Sequence, residues 1–407
     1  MWPPQYLIHI LLTVTLSTLM GTAYGTAATC GSSCLDSLLV KSECSPGNMT
    51  CVCTNTALHA DMQQCLLSNC TVKDALETQR YISTTCGVQG EDRRDVVLII
   101  GVLFGIVGLL AFGLRCTARL RIGNQSWGLD DWAMCLAVCF MVPLCAVSVP
   151  LSEHGLGLDM WYVDFQDIDH VLYFYFWDEI FYVGALAITK IAVLLFYLRV
   201  FPQSYFHVFV YILVASNVCY ALGFGFVLIF QCKPIDGAWL SWDGEYDAVC
   251  LSINDIGWSA AATNIFLDLA TILLPLPELF RLSMSWKKKV QILLMFMVGF
   301  FVTIVSAIRL SSLIEFGTTR NITQDYVEVG YWSTIEVPLG IVCACMPAIR
   351  ALYEHIFSGG VGTSRSAHTE FAGAATSSSL RPQQEWLVLQ NMPEHQSDAD
   401  LVSRSKE

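Results

Sequence analysis

Eight cysteines fall between Cys30 and Cys86 in the spacing C-x3-C-x9-C-x6-C-x-C-x11-C-x4-C-x15-C. Cysteines this dense either hold a metal as thiolates or crosslink the chain in an oxidising compartment. The stretch from Cys44 to Cys53, CSPGNMTCVC, contains no carboxylate and carries a glycosylation signal at Asn48. Both features favour a crosslinked, exported segment over a metal chelate. A second set of chemical groups stands in long apolar stretches: Lys190, Asp268, Arg309 and Glu336, with Asn264 one helical turn from Asp268. Ionisable groups in such places are costly and are usually paired or functional. At ~1.5 Å of rise per residue, Lys190 and Asp268 fall at one depth and Arg309 and Glu336 at another. Two ion pairs are therefore expected, Lys190–Asp268 and Arg309–Glu336. They either hold helix register or break and re-form as an intramembrane polar switch between two bundle states.

The elements that must position these groups follow from composition. The chain has 407 residues, 54% hydrophobic and only 14% charged, where soluble proteins carry about 25%. It reads as a membrane protein, and its net charge of −13 argues against nucleic acid as a partner. The apolar run Ile8–Met20, followed by small residues at Ala23 and Gly25, predicts a signal peptide over residues 1–25. Seven further apolar stretches are long enough to span a bilayer: Val96–Leu114, Trp132–Leu151, Ile180–Phe201, Val208–Phe230, Ile256–Pro277, Val290–Ile314 and Tyr331–Ile349. The expected fold is an all-α membrane protein, a small disulfide-rich helical ectodomain plus a seven-transmembrane-helix bundle over residues 96–355. A Ser/Thr/Gly-rich disordered tail is expected over residues 356–407.

Basic residues cluster in alternate loops. Arg115, Arg119, Arg121, Arg199, Arg281, Lys287, Lys288, Lys289 and Arg350 stand on one side, and Lys233 and Arg320 on the other. By the positive-inside rule the first set is cytoplasmic, which puts the N-terminus outside and the C-terminus in the cytoplasm. The second loop, outside in this orientation, holds Glu153, Asp159, Asp164, Asp167, Asp169, Asp178 and Glu179 and no Lys or Arg. Topology alone explains such acidity, and reception of a cationic ligand is the other explanation. Cys232 and Cys250, also outside, are expected to pair, and Asn321-Ile-Thr323 is an outward-facing glycosylation signal.

Several classes are excluded. The seventh stretch, YWSTIEVPLGIVCACMPAI, lacks the lysine that a retinal Schiff base needs, and no internal repeat suggests a transporter. The histidines (9, 59, 154, 170, 207, 355, 368 and 395) are scattered, with no zinc-holding cluster in the spans. Nothing indicates an enzyme.

The cysteine spacing resembles the fungal CFEM domain over residues 26–90, with Ala28 where a proline often precedes the first cysteine. The resemblance implies a helical basket with four disulfides, whose usual pairing links the first cysteine to the fourth or a nearby one. The sequence itself leaves the pairing open. Residues 96–355 resemble the fungal rhodopsin-like domain of the plant-pathogen class of G-protein-coupled receptors. The motifs, in order, are Gly128-Leu-Asp-Asp-Trp132, Lys190-Ile-Ala-Val-Leu-Leu-Phe-Tyr-Leu-Arg199, Gln231-Cys-Lys-Pro234, Asn264-x3-Asp268, Leu274-Pro-Leu-Pro277, Ser306-Ala-Ile-Arg309 and Cys345-Met-Pro347. This resemblance implies a plasma-membrane sensor acting through a heterotrimeric G protein on cAMP or MAP-kinase pathways, in contact with membrane lipids and an unknown extracellular ligand. In a plant-infecting fungus it would suit host-surface recognition, development and virulence. The third span ends in Phe196-Tyr-Leu-Arg199 rather than Asp/Glu-Arg-Tyr, so coupling is not legible from motif. Haem-binding CFEM proteins place an aspartate shortly before the Cys-x-Cys pair, where this chain has Asn48. A neutral amide is a poor ligand for ferric iron. No cofactor is therefore expected, with a membrane-anchored haem- or iron-binding protein as the alternative.

Overall fold

The computed structural model describes residues 28–42, 44, 49–122, 127–281, 286–316 and 321–358. The expected signal peptide, Asn48 and the tail beyond Ser358 lie outside the described residues. Among the described residues, four short helices come first: α1 (Ala28–Leu39), α2 (Met49–Thr54), α3 (Thr56–Asn69) and α4 (Val72–Thr85). Local chemistry starts two of them. Asn55 Oδ1 accepts the Leu58 amide at the head of α3, and Thr71 Oγ1 accepts the Asp74 amide at the head of α4. Their core is small, with Cys34, Met62, Leu66 and Ile82 at its centre. Crosslinks compensate for such a core: Cys30–Cys70, Cys34–Cys65, Cys44–Cys51 and Cys53–Cys86. This corrects the pairing that the family resemblance implied. The first cysteine joins the seventh and the second joins the sixth, because Cys30 and Cys34 share one face of α1 and meet the end of α3 one turn apart.

The long apolar helices follow: α5 (Arg94–Arg121), α6 (Leu129–Glu153), α7 (Phe165–Val200), α8 (Ser204–Ile229), α10 (Ile253–Leu273), α12 (Trp286–Phe316) and α13 (Ile322–Ser358). These seven are long and apolar enough to cross a membrane. Short helices α9 (Gly237–Leu240) and α11 (Leu276–Arg281) lie between them. A two-residue ribbon pairs β1 (Cys232–Lys233) with β2 (Val249–Cys250), and the Cys232–Cys250 disulfide closes it. Helix α5 packs against α6 and α13, α7 against α6 and α8, and α12 against α10 and α13. Gly101 shows why α5 and α6 approach so closely: an added Cβ there would overlap the Ser148 hydroxyl. Pro143 and Pro150 in α6, and Pro338 and Pro347 in α13, stay within continuous helices, as packed neighbours in a bundle allow.

The third span begins earlier than expected. Its helix starts at Phe165 rather than Ile180, so the acidic stretch 165–179 is helix, not loop. Hydropathy rejects this stretch for its charges, yet Ile168, Val171 and Tyr175 are buried at helical spacing. Asp178 is carried into the bundle with them, only 6% exposed.

The crosslinked domain rests on the same end of the bundle as the segments after α6 and α8. Lys73 Nζ lies 2.7 Å from both Asp243 and Glu245, Tyr162 donates to the Val88 carbonyl at 2.8 Å, and Arg80 faces Asp164 at 3.6 Å. Burial raises the Asp243 carboxyl, but the Lys73 hydrogen bond, the Glu245 amide and the ammonium charge outweigh it and hold the group below its ordinary value of 3.8. The hydrogen bonds to Asp243 and Glu245 raise Lys73 above 10.5. A depressed carboxylate gives stability that is present above its unfolded value and lost as pH falls through its folded one; a raised ammonium is lost only in strong alkali. The tie should therefore hold from neutral into alkaline pH and loosen below about pH 4. Hydrogen exchange of α4 and residues 241–248 across that range checks this, and unchanged protection at pH 3 would contradict it.

Candidate functional site

The four ionisable residues expected inside the membrane are all buried, and the fold joins them in one chain rather than two pairs. Lys190 Nζ of α7 lies 3.0 Å from Asp268 Oδ1 of α10. It also donates to the Asn264 carbonyl at 3.2 Å and to the Asn264 side-chain oxygen. Asn264 Nδ2 in turn reaches Asp268 Oδ2 at 3.2 Å and Glu336 Oε1 of α13 at 3.1 Å. Tyr182 of α7 donates to Glu336 Oε2 at 2.7 Å, and the Ser306 hydroxyl of α12 donates to Oε1. Glu336 is 0% exposed.

The expected Arg309–Glu336 ion pair is absent among the described residues. Arg309 Nε donates instead to Ser333 Oγ at 2.7 Å, and its guanidinium lies over the Tyr182 ring at 4.0 Å. The cause is register. Antiparallel α12 and α13 set Ser306 opposite Glu336 and Arg309 opposite Ser333, one turn further along. Sequence depth resolves a helix to a turn at best, and the error here is one turn. Three neutral donors satisfy the Glu336 carboxylate, while cation–π attraction and a hydroxyl hold Arg309. A cavity of about 70 Å³ opens beside Lys190 and Asp268, also lined by Thr189, Tyr197, Thr271 and Cys343. Such a chain can pass a displacement of one span to three others, since its members belong to α7, α10, α12 and α13.

A second polar cluster escaped sequence reasoning. Helix α5 runs on through Arg115 and Arg119, which the charge count had placed in a loop, and both face the Asp130-Asp131 pair opening α6. Arg115 donates to Asp131 Oδ1 at 2.9 Å, to Asp130 Oδ2 at 2.6 Å and to the Ala344 carbonyl of α13 at 2.8 Å. Arg119 donates to the same two carboxylates, each at 3.0 Å. Arg199, at the end of α7, stands 3.5 Å from Asp130. Both aspartates and both α5 arginines are buried, and a cavity of about 290 Å³ opens beside the two arginines, lined also by Phe196, Arg199 and Pro347. The available signal was the spacing of Arg115 and Arg119, four apart and hence on one helix face. The cluster ties four spans at the bundle end opposite the crosslinked domain.

Asn321, read as a glycan acceptor, is put to other use. Its Nδ2, the atom a glycan would occupy, donates to Asp159 at 2.7 Å, and its Oδ1 accepts the Met160 amide at 2.9 Å. Thr323 of the same signal is fully buried and donates to the Leu158 carbonyl at 2.7 Å. We expect Asn321→Gln to leave the glycosidase-sensitive mobility of the full-length protein unchanged; a lost glycan band would contradict this. Among the described residues of the crosslinked domain, the sulfurs and His59 are already engaged. All eight cysteine sulfurs are bridged, and His59 Nε2 lies 3.3 Å from the Cys53 carbonyl. Position 48, where the resemblance to haem-binding CFEM proteins implies an aspartate, is an asparagine.

Comparison with known proteins follows the same division. The CFEM domain matches residues 23–87 and the fungal rhodopsin domain matches residues 114–355. A SAT4 family membrane protein of Emericella nidulans is 28% identical over 214 residues, covering 52% of this chain and 53% of that protein. Fugralins biosynthesis cluster protein 2 of Gibberella zeae is 25% identical over 206 residues, covering 48% and 50%. Receptor GIN3 of Arthrobotrys oligospora is 26% identical over 272 residues, covering 64% of each. The chain thus spans about half the length of the first two and under two thirds of the third. No solved structure matches it. With a disulfide-bonded CFEM domain ahead of seven membrane-spanning helices, the chain is a receptor-like multi-pass membrane protein and belongs to the fungal rhodopsin domain family.

Proposed function

We propose that the protein is a plasma-membrane receptor, not an enzyme, with its crosslinked domain outside and its C-terminus in the cytoplasm. The CFEM domain and outer loops meet an extracellular ligand or surface cue. Spans α7, α10, α12 and α13 rearrange in response, and a heterotrimeric G protein is engaged inside, upstream of cAMP or MAP-kinase signalling. In a plant-infecting fungus this would serve host recognition, development and virulence. The observation that carries the reading is the buried polar chain from Lys190 through Asn264 and Glu336 to Tyr182. With Ser306 of α12 also donating to Glu336, it links four spans beneath the bundle end on which the crosslinked domain rests. Orientation rests on the basic loops and on the disulfides, which belong to an oxidising compartment. The name of receptor GIN3 supports the receptor class.

The test is nucleotide exchange on purified fungal Gα subunits by the full-length protein in nanodiscs. Wild type should accelerate exchange on at least one subunit, and Glu336→Gln should change that rate several-fold. No acceleration on any Gα subunit, by wild type or variant, would overturn the G-protein step.

A further inference from the structure

We propose that His154, Asp167 and His170 form a binding site for a zinc-type divalent cation, bridging the end of α6 and the first turns of α7. His154 caps α6, while Asp167 and His170 stand three residues apart on one face of α7. His154 Nδ1 lies 2.8 Å from Asp167 Oδ1. The two imidazoles stack at 4.7 Å with 12° between their planes. One ligand atom from each residue lies within 4.8 Å of the other two. At zinc–nitrogen distances of about 2.0–2.1 Å, the ligand atoms need to close by roughly 1–1.5 Å. Rotation of partly exposed side chains supplies that.

Two details go beyond a surface Asp–His hydrogen bond. His170 Nδ1 sits 2.7 Å from the Gln166 carbonyl, so in the neutral ring this nitrogen carries the proton and Nε2 has the lone pair. A backbone carbonyl behind a ligating histidine is the usual way its tautomer is set. The His154 ring also lies against Phe174 of α7, with centroids 5.9 Å apart. Because each imidazole coordinates in its own ring plane, the two stacked rings must tilt toward each other to share one ion.

Ligand chemistry selects the ion. Two imidazole nitrogens and one carboxylate oxygen suit Zn²⁺, or Cu²⁺ and Ni²⁺, whereas Ca²⁺ and Mg²⁺ want oxygen throughout. Three protein ligands on partly exposed residues leave the fourth zinc position to solvent. The stretch 153–179 carries seven carboxylates and no Lys or Arg, a field that draws cations. Asp169, beside His170, accepts from Trp242 Nε1 at 2.6 Å, so an ion here would bear on the segment that also holds Lys73.

The experiment uses chelator-stripped full-length protein in detergent, titrated with Zn²⁺ and with Co²⁺ as a spectroscopic probe. We expect one saturable site with a nitrogen/oxygen-type Co²⁺ spectrum, no competition by Ca²⁺ or Mg²⁺, and a Zn²⁺-dependent rise in unfolding temperature. His154→Ala and His170→Ala should each weaken binding about tenfold or more, as should the near-isosteric Asp167→Asn, which carries the test if a histidine variant fails to fold. Absence of saturable binding would overturn the proposal. So would binding undiminished in all folded variants, or a sulfur-to-cobalt charge-transfer band that assigns the ion to thiols.

Discussion

Lys190→Met is expected to destabilise the bundle by about 3–5 kcal/mol, the cost of leaving a buried charge without its partner. The ammonium touches Asp268 at 3.0 Å and both oxygens of Asn264. Its removal leaves the Asp268 carboxylate, 8% exposed, with neutral donors such as the Asn264 amide at 3.2 Å and no cation. Adding Asp268→Asn should restore most of the loss, since a neutral pair of similar volume carries no uncompensated charge. Unfolding of nanodisc-embedded protein, followed in single and double variants, checks this. A double variant no more stable than Lys190→Met would show that the ion pair is not the source of the effect. Glu336→Gln should cost less, because the amide oxygen can still accept from Asn264 and Ser306 while the new NH2 can donate to the Tyr182 hydroxyl oxygen.

Arg115→Met should cost about as much, again roughly 3–5 kcal/mol, through different contacts. It removes hydrogen bonds to Asp130, Asp131 and the Ala344 carbonyl at once. The two aspartates, 3% and 2% exposed, would then share the remaining cations. Arg115→Lys should fall between the two, since an ammonium cannot bridge both carboxylates and a carbonyl as the guanidinium fork does. Because the cluster is buried, the loss should change little between low and high salt, unlike that of an exposed pair. A variant as stable as wild type, or a loss abolished by salt, would contradict the assignment. Since Arg115 also touches α13, the same variant should loosen the α5–α13 contact in hydrogen exchange.

Fold class and domain order were legible because each rests on a signal that packing does not alter. Seven apolar runs of bilayer length cannot share an aqueous core, and eight cysteines at that spacing belong to one crosslinked module. The identities of the buried polar residues were legible for the same reason: Lys190, Asp268, Arg309 and Glu336 are conspicuous against apolar surroundings.

Their partners were not. Arg309 lies with Ser333 and Tyr182 rather than Glu336 because the α12–α13 register differs by one turn from the depth count, and register is a property of two packed helices. The disulfide pairing was equally invisible, since spacing limits which sulfurs can approach without choosing among them. Arg115, Arg119, Asp130 and Asp131 were each visible, two as topogenic charges and two as a motif. Only the continuation of α5 to Arg121 brings them together. His154 and His170 stood among histidines that looked scattered, and they meet because α7 begins fifteen residues before its apolar run. The sequence by itself determined which groups would be buried in a bilayer-spanning bundle, because transfer from water to hydrocarbon depends on each residue's own chemistry. The tertiary structure decided which groups meet, because a contact of about 3 Å depends on the phase and register of two helices together.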